Sequence, residues 1–198
     1  MITYTSASDE IKTELLRKSI HFLIALVPSL AMISKVGTLA VLALGVLTYS
    51  YAETLRLSGT MVPLISQITS LAARKRDQGR FVLGPVTLGL GAMLALLLYP
   101  APAASIALYA LAFGDGLASL IGKLFGTIRP FFLMGKSVEG SLACFLVVFF
   151  MAYRTYPSFS VAFVAASTAT VIEVFPLKDF DNILLPIGVG FAVQFLQP

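Results

Sequence analysis

Seven apolar runs, at 19–34, 37–55, 84–100, 103–122, 138–153, 158–174 and 183–197, alternate with short stretches that carry most of the charge. The chain of 198 residues is 58% hydrophobic and only 12% charged, where soluble domains hold about a quarter charged residues. That pattern leaves a lipid bilayer as the solvent for most of its surface. The runs lack the alternation of a membrane barrel. The expected fold is therefore all-α, a polytopic membrane helical bundle of about seven transmembrane helices in one integral domain over residues 1–198. Several runs fall short of the ~20 residues that cross a ~30 Å hydrocarbon core, and polar helix ends such as Glu14–His21 are expected to lengthen them. The segment 60–73 is apolar but short, and reads as an interfacial or re-entrant helix rather than a span. Lys12, Arg17 and Lys18 give the first run the outline of a signal peptide. Asp9, Glu10 and Glu14 also precede it and many more apolar runs follow, so it is expected to be retained as a helix.

Threading the runs with the N-terminus in the cytoplasm puts Lys12, Arg17, Lys18, Arg56, Arg74, Lys75, Arg76, Arg80, Lys123, Arg129, Lys136 and Lys178 on the cytoplasmic side. Of the 14 Lys and Arg residues only Lys35 and Arg154 fall outside, a strong positive-inside bias. All 10 acids fall inside as well, which insertion does not require. The outer turns Ser34–Gly37, Pro100–Ala103 and Arg154–Ser158 are short and nearly bare. Any chemistry is therefore expected at the cytoplasmic face of a multi-pass cell-membrane protein. The net charge of +4 gives no basis for nucleic-acid binding, and Cys144, the single cysteine, can form no disulfide within the chain.

Three polar sets stand out on these greasy helices. Glu14, Arg17, Lys18 and His21 stand at i, i+3, i+4 and i+7 and share a helical face. Either their bases snorkel to headgroups, or the stripe faces the bundle and meets phosphate. His21 is the only histidine, with no second His or Cys clustered near it for zinc. Tyr49, Glu53 and Arg56 make a second stripe, in which Glu53 and Arg56 can pair internally; a carboxylate at that depth should face protein or water, not lipid. Asp115, Ser119, Gly122 and Lys123 share a face of the fourth span, beside a small-residue ridge of Gly114, Ala118, Gly122 and Gly126. Such a ridge suits close packing within a chain or in a homo-oligomer. It does not account for Asp115, which, about two turns into an apolar helix, needs a partner or a metal.

The loop 123–137 carries Lys123, Arg129 and Lys136 and ends in G-K-S-V-E-G. Pro130 stands where the first glycine of a Walker A loop belongs, and no βαβ context surrounds it. Lys136 and Ser137 still precede a helix whose first N–H groups can bind an anion, with Glu139 in its first turn as a cap or a metal ligand. The stretch E-V-F-P-L-K-D-F-D-N-I-L-L-P (Glu173–Pro186) packs Glu173, Asp179, Asp181 and Asn182 between two spans. Small residues let a phosphate come close, lysines supply charge, and carboxylates suit a hard cation such as Mg2+. Together they suggest phosphoryl chemistry on a lipid.

The blocks E-L-L-R-K-S-I-H-F, Y-A-E-T-L-R, G-D-G-L-A-S-L-I-G-K-L-F-G, G-K-S-V-E-G-S-L-A and E-V-F-P-L-K-D-F-D-N-I-L-L-P occur in this order. The set resembles the dolichol kinase and phytol kinase family, which includes the CTP-dependent diacylglycerol kinase of yeast. It is similar, more distantly, to phosphatidate cytidylyltransferases. The resemblance covers nearly the whole chain. It implies a polytopic membrane enzyme that phosphorylates a lipid alcohol, typically with CTP as donor and a divalent metal. The motif positions carried over are Asp115, Lys123, Lys136, Ser137, Glu139, Asp181 and Asn182, while Arg17, Lys18, His21, Glu53, Arg56 and Glu173 match other polar positions of the family. The chain is shorter than dolichol kinases, which leans towards a minimal phytol- or polyprenol-kinase-like enzyme.

The reaction this implies is transfer of the γ-phosphoryl group of CTP to the primary hydroxyl of an isoprenoid alcohol: phytol, geranylgeraniol, or polyprenol/dolichol. Asp115, Asp181, Glu139 and Asn182 would hold Mg2+ or another divalent metal. Lys123, Lys136 and Ser137 would bind the phosphates with Arg17, Lys18 and Arg56, and Glu53 and Glu173 would support them. Asp115 and His21 are both candidates for the base, and the sequence ranks neither them nor CTP over ATP. The alternatives are CDP-lipid synthesis by a cytidylyltransferase, diacylglycerol phosphorylation, and lipid transport. Transport is disfavoured because the outer halves of the spans are almost purely apolar.

Overall fold

A computed structural model describes residues 7–77 and 79–196. The side chains of Asp9, Glu10 and Lys75, counted in the charge balance above, lie outside the described residues. All regular structure among the described residues is helical, as expected where each apolar segment must satisfy its own backbone in lipid.

Helix α1 (Ala7–Leu23) continues through a 3₁₀ turn, Ile24–Leu26, into α2 (Val27–Ile33). Pro28 lies in the first turn of α2, where its missing N–H costs nothing. The apolar run begins at 19, yet the helix starts at Ala7, because the polar stripe on α1 turns Glu14, Lys18 and His21 inward. Ser34 caps α3 (Lys35–Leu57), its hydroxyl accepting from the Gly37 amide at 3.0 Å. Only Ile65–Ala72 of the segment 60–73 is helical (α4), after Pro63; it buries Ser66, Thr69 and Ala72 and leaves Leu64 and Leu71 exposed. Helix α5 (Gly84–Leu98) follows. Next, α6 (Ala103–Tyr109) passes through a π-helical stretch, Ala110–Asp115, into α7 (Gly116–Leu124). Three more helices complete the bundle: α8 (Val138–Thr155), α9 (Phe159–Val174) and α10 (Asp181–Gln194).

Four stretches are long and apolar enough to cross a membrane: Ile11–Ile33, Lys35–Leu57, Ala103–Leu124 and Val138–Thr155. Helices α5, α9 and α10 have 15, 16 and 14 residues, about 21–24 Å at a rise of 1.5 Å per residue. The α6–α7 rod sits at the centre, with Ile106, Ala107, Leu108, Ala110, Leu111 and Ala112 all buried. Around it, α8 lies between α7 and α9, α10 packs on α9, α5 and α6, and α1 packs on α7 and α4. The inner face of α9 is almost all alanine (Ala162, Ala165, Ala166, Ala169). Between lipid-embedded helices there is no water to expel, so such small residues hold the contact by letting backbones approach. Large side chains such as Met32, Ile33, Val41, Leu44 and Phe150 point outward. A bundle apolar on both its inner and outer faces belongs in hydrocarbon.

One close approach fixes the end of α10 that the site uses. Pro186, buried inside α10, has no N–H for the carbonyl of Asn182. Gly91 of α5 packs on that carbonyl, so closely that a Cβ there would collide with the Asn182 oxygen. Gly91→Ala is expected to lower the thermal midpoint of the detergent-purified protein, at the ~1–3 kcal/mol typical of overpacking. Gly45→Ala, whose Cβ would meet nothing within 4 Å, is expected to leave it unchanged or raise it, and a scanning-fluorimetry comparison reads both.

Candidate active site

The charged residues of separate helices meet one another at a single end of the bundle. The centre is Asp115, the last residue of the π stretch. A π turn widens the helix locally and is a frequent device at functional sites. Its glycine neighbours seat it: a Cβ on Gly114 would come within 2.8 Å of Val148, and one on Gly116 within 2.6 Å of the Phe22 ring. Asp115 is 4% exposed. Its Oδ2 accepts from Lys18 Nζ at 2.6 Å and stands 3.0 Å from His21 Nδ1, a buried atom that makes no hydrogen bond among the described residues.

Carboxylate oxygens of Asp115, Glu173 and Asp181 lie within 4.8 Å of one another. They come from the π stretch, the C-terminal end of α9 and the first residue of α10. Lys136 pairs with Glu173. Burial works to lower the pKa of the Lys136 ammonium, but Glu173, with Asp115 and Asp181 behind it, outweighs this and holds it above the ordinary lysine value. Clustered acids out of water repel one another unless cations compensate them. Two lysines serve three acids here, and Glu173 Oε2 is buried without a hydrogen-bond partner. An all-oxygen donor set with a spare buried acceptor fits a hard divalent cation.

Glu14 is a second hub, with 1% of its surface exposed. Lys123 Nζ lies 2.6 Å from it, Arg74 3.3 Å, Arg17 3.5 Å and Lys18 4.0 Å. Motif reasoning left Glu14 and Arg74 without a role, although Glu14 shares the face of Arg17, Lys18 and His21. Asp179 is a further unassigned acid, 2.8 Å from Arg76 and 3.9 Å from Arg17.

The remaining candidates are placed as follows. Ser137 is buried and caps α8, its hydroxyl accepting from the Gly140 amide at 3.1 Å. Glu139 stands apart from the acid trio and accepts from the Thr127 and Ile128 amides at 2.9 and 3.2 Å. The Asn182 amide donates to Thr87 Oγ1 at 3.0 Å and the Gly84 carbonyl at 3.3 Å, joining α10 to α5. Glu53 receives Arg56 at 2.7 and 2.8 Å and the Val82 amide at 2.8 Å. The Glu53–Arg56 pair thus braces the chain leading into α5.

Three cavities adjoin at this end. A cleft of about 240 Å3 lies between α7 and α8, where Arg74, Lys123, Arg129 and Lys136 outnumber Glu14 and Glu173, with Ser137 also in its lining; its net character is cationic. A mixed-charge cavity of about 190 Å3 holds Lys18, Asp115 and Asp181 and shares Arg74, Ser119 and Lys136 with the cleft. A mostly apolar cavity of about 220 Å3 is walled by Ile20, Ile65, Ile68, Ala72 and Leu88, with His21 and Arg17 also in its lining. Arg17 belongs to the central cavity too.

Comparison with known proteins gives distant relatives. The chain is 35% identical over 106 residues to the phytol kinase of Synechocystis, covering 47% of this chain and 45% of that one. It is 33% identical over 84 residues to CTP-dependent diacylglycerol kinase 1 of Eremothecium gossypii, covering 42% and 26%. An uncharacterised protein of Methanocaldococcus jannaschii is 29% identical over 135 residues, 67% of this chain and 68% of its own. Distant relatives of the chain are therefore kinases. The matches span less than half the length of either named kinase. No protein-family model and no solved structure matches.

Two measurements test this geometry apart from turnover. Mn2+ binding, read by electron paramagnetic resonance, is expected to weaken in Glu173→Gln by at least the ~10-fold that loss of an outer-shell partner already costs, and to be unaffected in Glu139→Gln. Glu14→Gln strands four cations around a neutral amide. Since Lys123 is 44% exposed and Arg74 30%, the loss in thermal stability is expected towards the lower end of the ~3–5 kcal/mol for a broken buried pair.

Proposed function

We propose that the protein is an integral membrane kinase that moves the γ-phosphoryl group of CTP to the hydroxyl of an isoprenoid alcohol. In this reading all seven long helical segments cross the membrane as one domain, with the N-terminus and the site on the cytoplasmic side. The short α5, α9 and α10 complete their crossings with flanking residues. The observation that carries the reading is the central cavity at Asp115, which also holds Asp181, shares Arg17 with the apolar cavity and shares Arg74, Ser119 and Lys136 with the cationic cleft. Support comes from the kinase relatives, one of them CTP-dependent by name.

The triphosphate lies in the cleft, where Lys123, Lys136 and Arg74 take its charge and Ser137 holds the α8 end in place. Asp115, Glu173 and Asp181 would hold Mg2+, which when bound offsets the charge of the β- and γ-phosphates. Arg17 and Lys18 stand over the γ-phosphoryl group. His21 is the group we assign to the hydroxyl proton, because it lines the apolar cavity and has Asp115 at 3.0 Å to orient it. The alcohol oxygen attacks the γ-phosphorus, its proton passes to His21, the bridging bond to the β-phosphate breaks, and CDP departs. Positioning and charge neutralisation supply most of the acceleration in such transfers.

Purified protein with Mg2+, γ-labelled CTP or ATP and a panel of lipid alcohols tests the reading. Label is expected in the lipid fraction with CTP and an isoprenoid alcohol. Asp115→Asn is expected to lose at least ~100-fold in turnover, the scale of general acid–base and electrostatic contributions. It also leaves the Lys18 ammonium buried beside a neutral amide, so its thermal midpoint is expected to fall, by the ~3–5 kcal/mol of a broken buried pair, and turnover is compared below that midpoint. Pyrophosphate release with phosphatidate, and no labelled alcohol, would overturn the proposal in favour of a cytidylyltransferase.

A further inference from the structure

The apolar cavity combines aliphatic walls with a few polar and charged groups, Tyr49 and Thr69 among them. Ile20, Ile65, Ile68, Ala72 and Leu88 form its walls, and its charged lining comes from Arg17, Asp77 and Asp179. On the side of α3, the Tyr49 hydroxyl donates to the Val82 carbonyl at 2.9 Å and the Val82 amide donates to Glu53 at 2.8 Å, so that wall is pinned. The α4 side is different. Ile68 lines the cavity and is still 37% exposed, and its helix neighbours Leu64 and Leu71 are 67% and 66% exposed. At Ile68, one side chain thus both lines the cavity and faces the outside.

We infer that this cavity is the subsite for the hydrocarbon chain of the lipid alcohol, and that α4 is the wall past which the chain reaches it from the bilayer interface. The inference rests on the kinase reading above and adds where the chain binds and which residues select it. A chain seated against Ile20, Ile68, Ala72 and Leu88 exchanges one apolar surrounding for another, so its affinity comes from fit rather than from escape from water. The hydroxyl then lies at the His21 and Arg17 side, next to Asp115. Helix α4 suits such a wall: it has eight residues, buries Ser66 and Thr69, and has an outer face that mixes Ile68 and Leu71 with Gln67 and Ser70, as the half-polar interfacial zone allows. Its hold on the rest of the molecule is light, through contacts with α1 and α3.

Two experiments separate this subsite from the kinase reading. Irradiation of the full-length protein with a geranylgeraniol analogue, carrying a diazirine in its second isoprene unit, is expected to label α4 and the facing turn of α1. Labelling confined to other helices overturns the subsite. In Ile68→Trp, a change at a half-exposed position, the KM for geranylgeraniol is expected to rise about tenfold, the scale of a filled apolar pocket, with the KM for CTP unchanged. An unchanged geranylgeraniol KM in an active Ile68→Trp enzyme overturns the subsite and leaves the kinase standing. Labelling of α4 without phosphoryl transfer to any alcohol keeps the subsite and removes the kinase.

Discussion

Everything in this molecule is arranged around the problem of holding charge in a bundle that has almost none to spare. Asp115 is ionised only at great cost unless a cation touches it, and Lys18 does so at 2.6 Å. That contact spans 97 positions of sequence and sets the register of α1 against the central rod. Other features serve the same end. The π stretch turns Asp115 inward, Gly114 and Gly116 bring α8 and Phe22 of α1 against it, and Gly91 brings α5 onto the first turn of α10. Remove the charge and these devices would have little purpose, since alanine-rich helices pack well without a π turn.

The lysines and arginines of the site are already occupied: Arg17, Lys18, Arg74, Lys123 and Lys136 lean on Glu14, Asp115, Glu173 or Asp179, and Arg129 donates to the Gly135 and Gly122 carbonyls. A cation held by a carboxylate is desolvated and aimed before any phosphate arrives. An anion entering the cleft would meet positive charge that these carboxylates already hold in place, which is the sense in which such a site is preorganised. Glu14 is central to this. It faces Arg17, Lys18, Arg74 and Lys123 from one buried position, so cations from three parts of the chain share one fixed counter-charge.

The apolar runs were legible because hydrocarbon demands them and nothing else in the sequence competes. The extension of α1 through Glu14–His21 was legible as well; which way its charged face turns was not, since such a stripe reads equally as a solvated lead-in until its partners are known. Glu139 drew attention as a cap or ligand because it lies in the first turn of the helix after G-K-S; the carboxylate that Lys136 reaches is Glu173, 37 positions away. No spacing rule announces such a pairing. The pairing of Glu14 with Lys123, 109 positions apart, is invisible for the same reason. The π stretch leaves no compositional mark beyond small residues that any tight interface would use.

A neutral alcohol and a lipid phosphate make different demands on the apolar cavity, and its lining distinguishes them. Asp77 and Asp179 contribute two carboxylates there against the single guanidinium of Arg17. Asp179 already engages Arg76 and Arg17, so little positive charge is left over for an incoming dianion. A phosphate head would have to displace those ion pairs and sit beside the freed acids, whereas a hydroxyl brings no charge and needs only an acceptor for its proton. The histidine in that lining, backed by Asp115, supplies one. Specificity of this kind arises as much from what a site repels as from what it holds. On the kinase reading proposed above, these acids would make a phosphate unwelcome here, while Arg74, Lys123, Arg129 and Lys136 offer positive charge in the cleft.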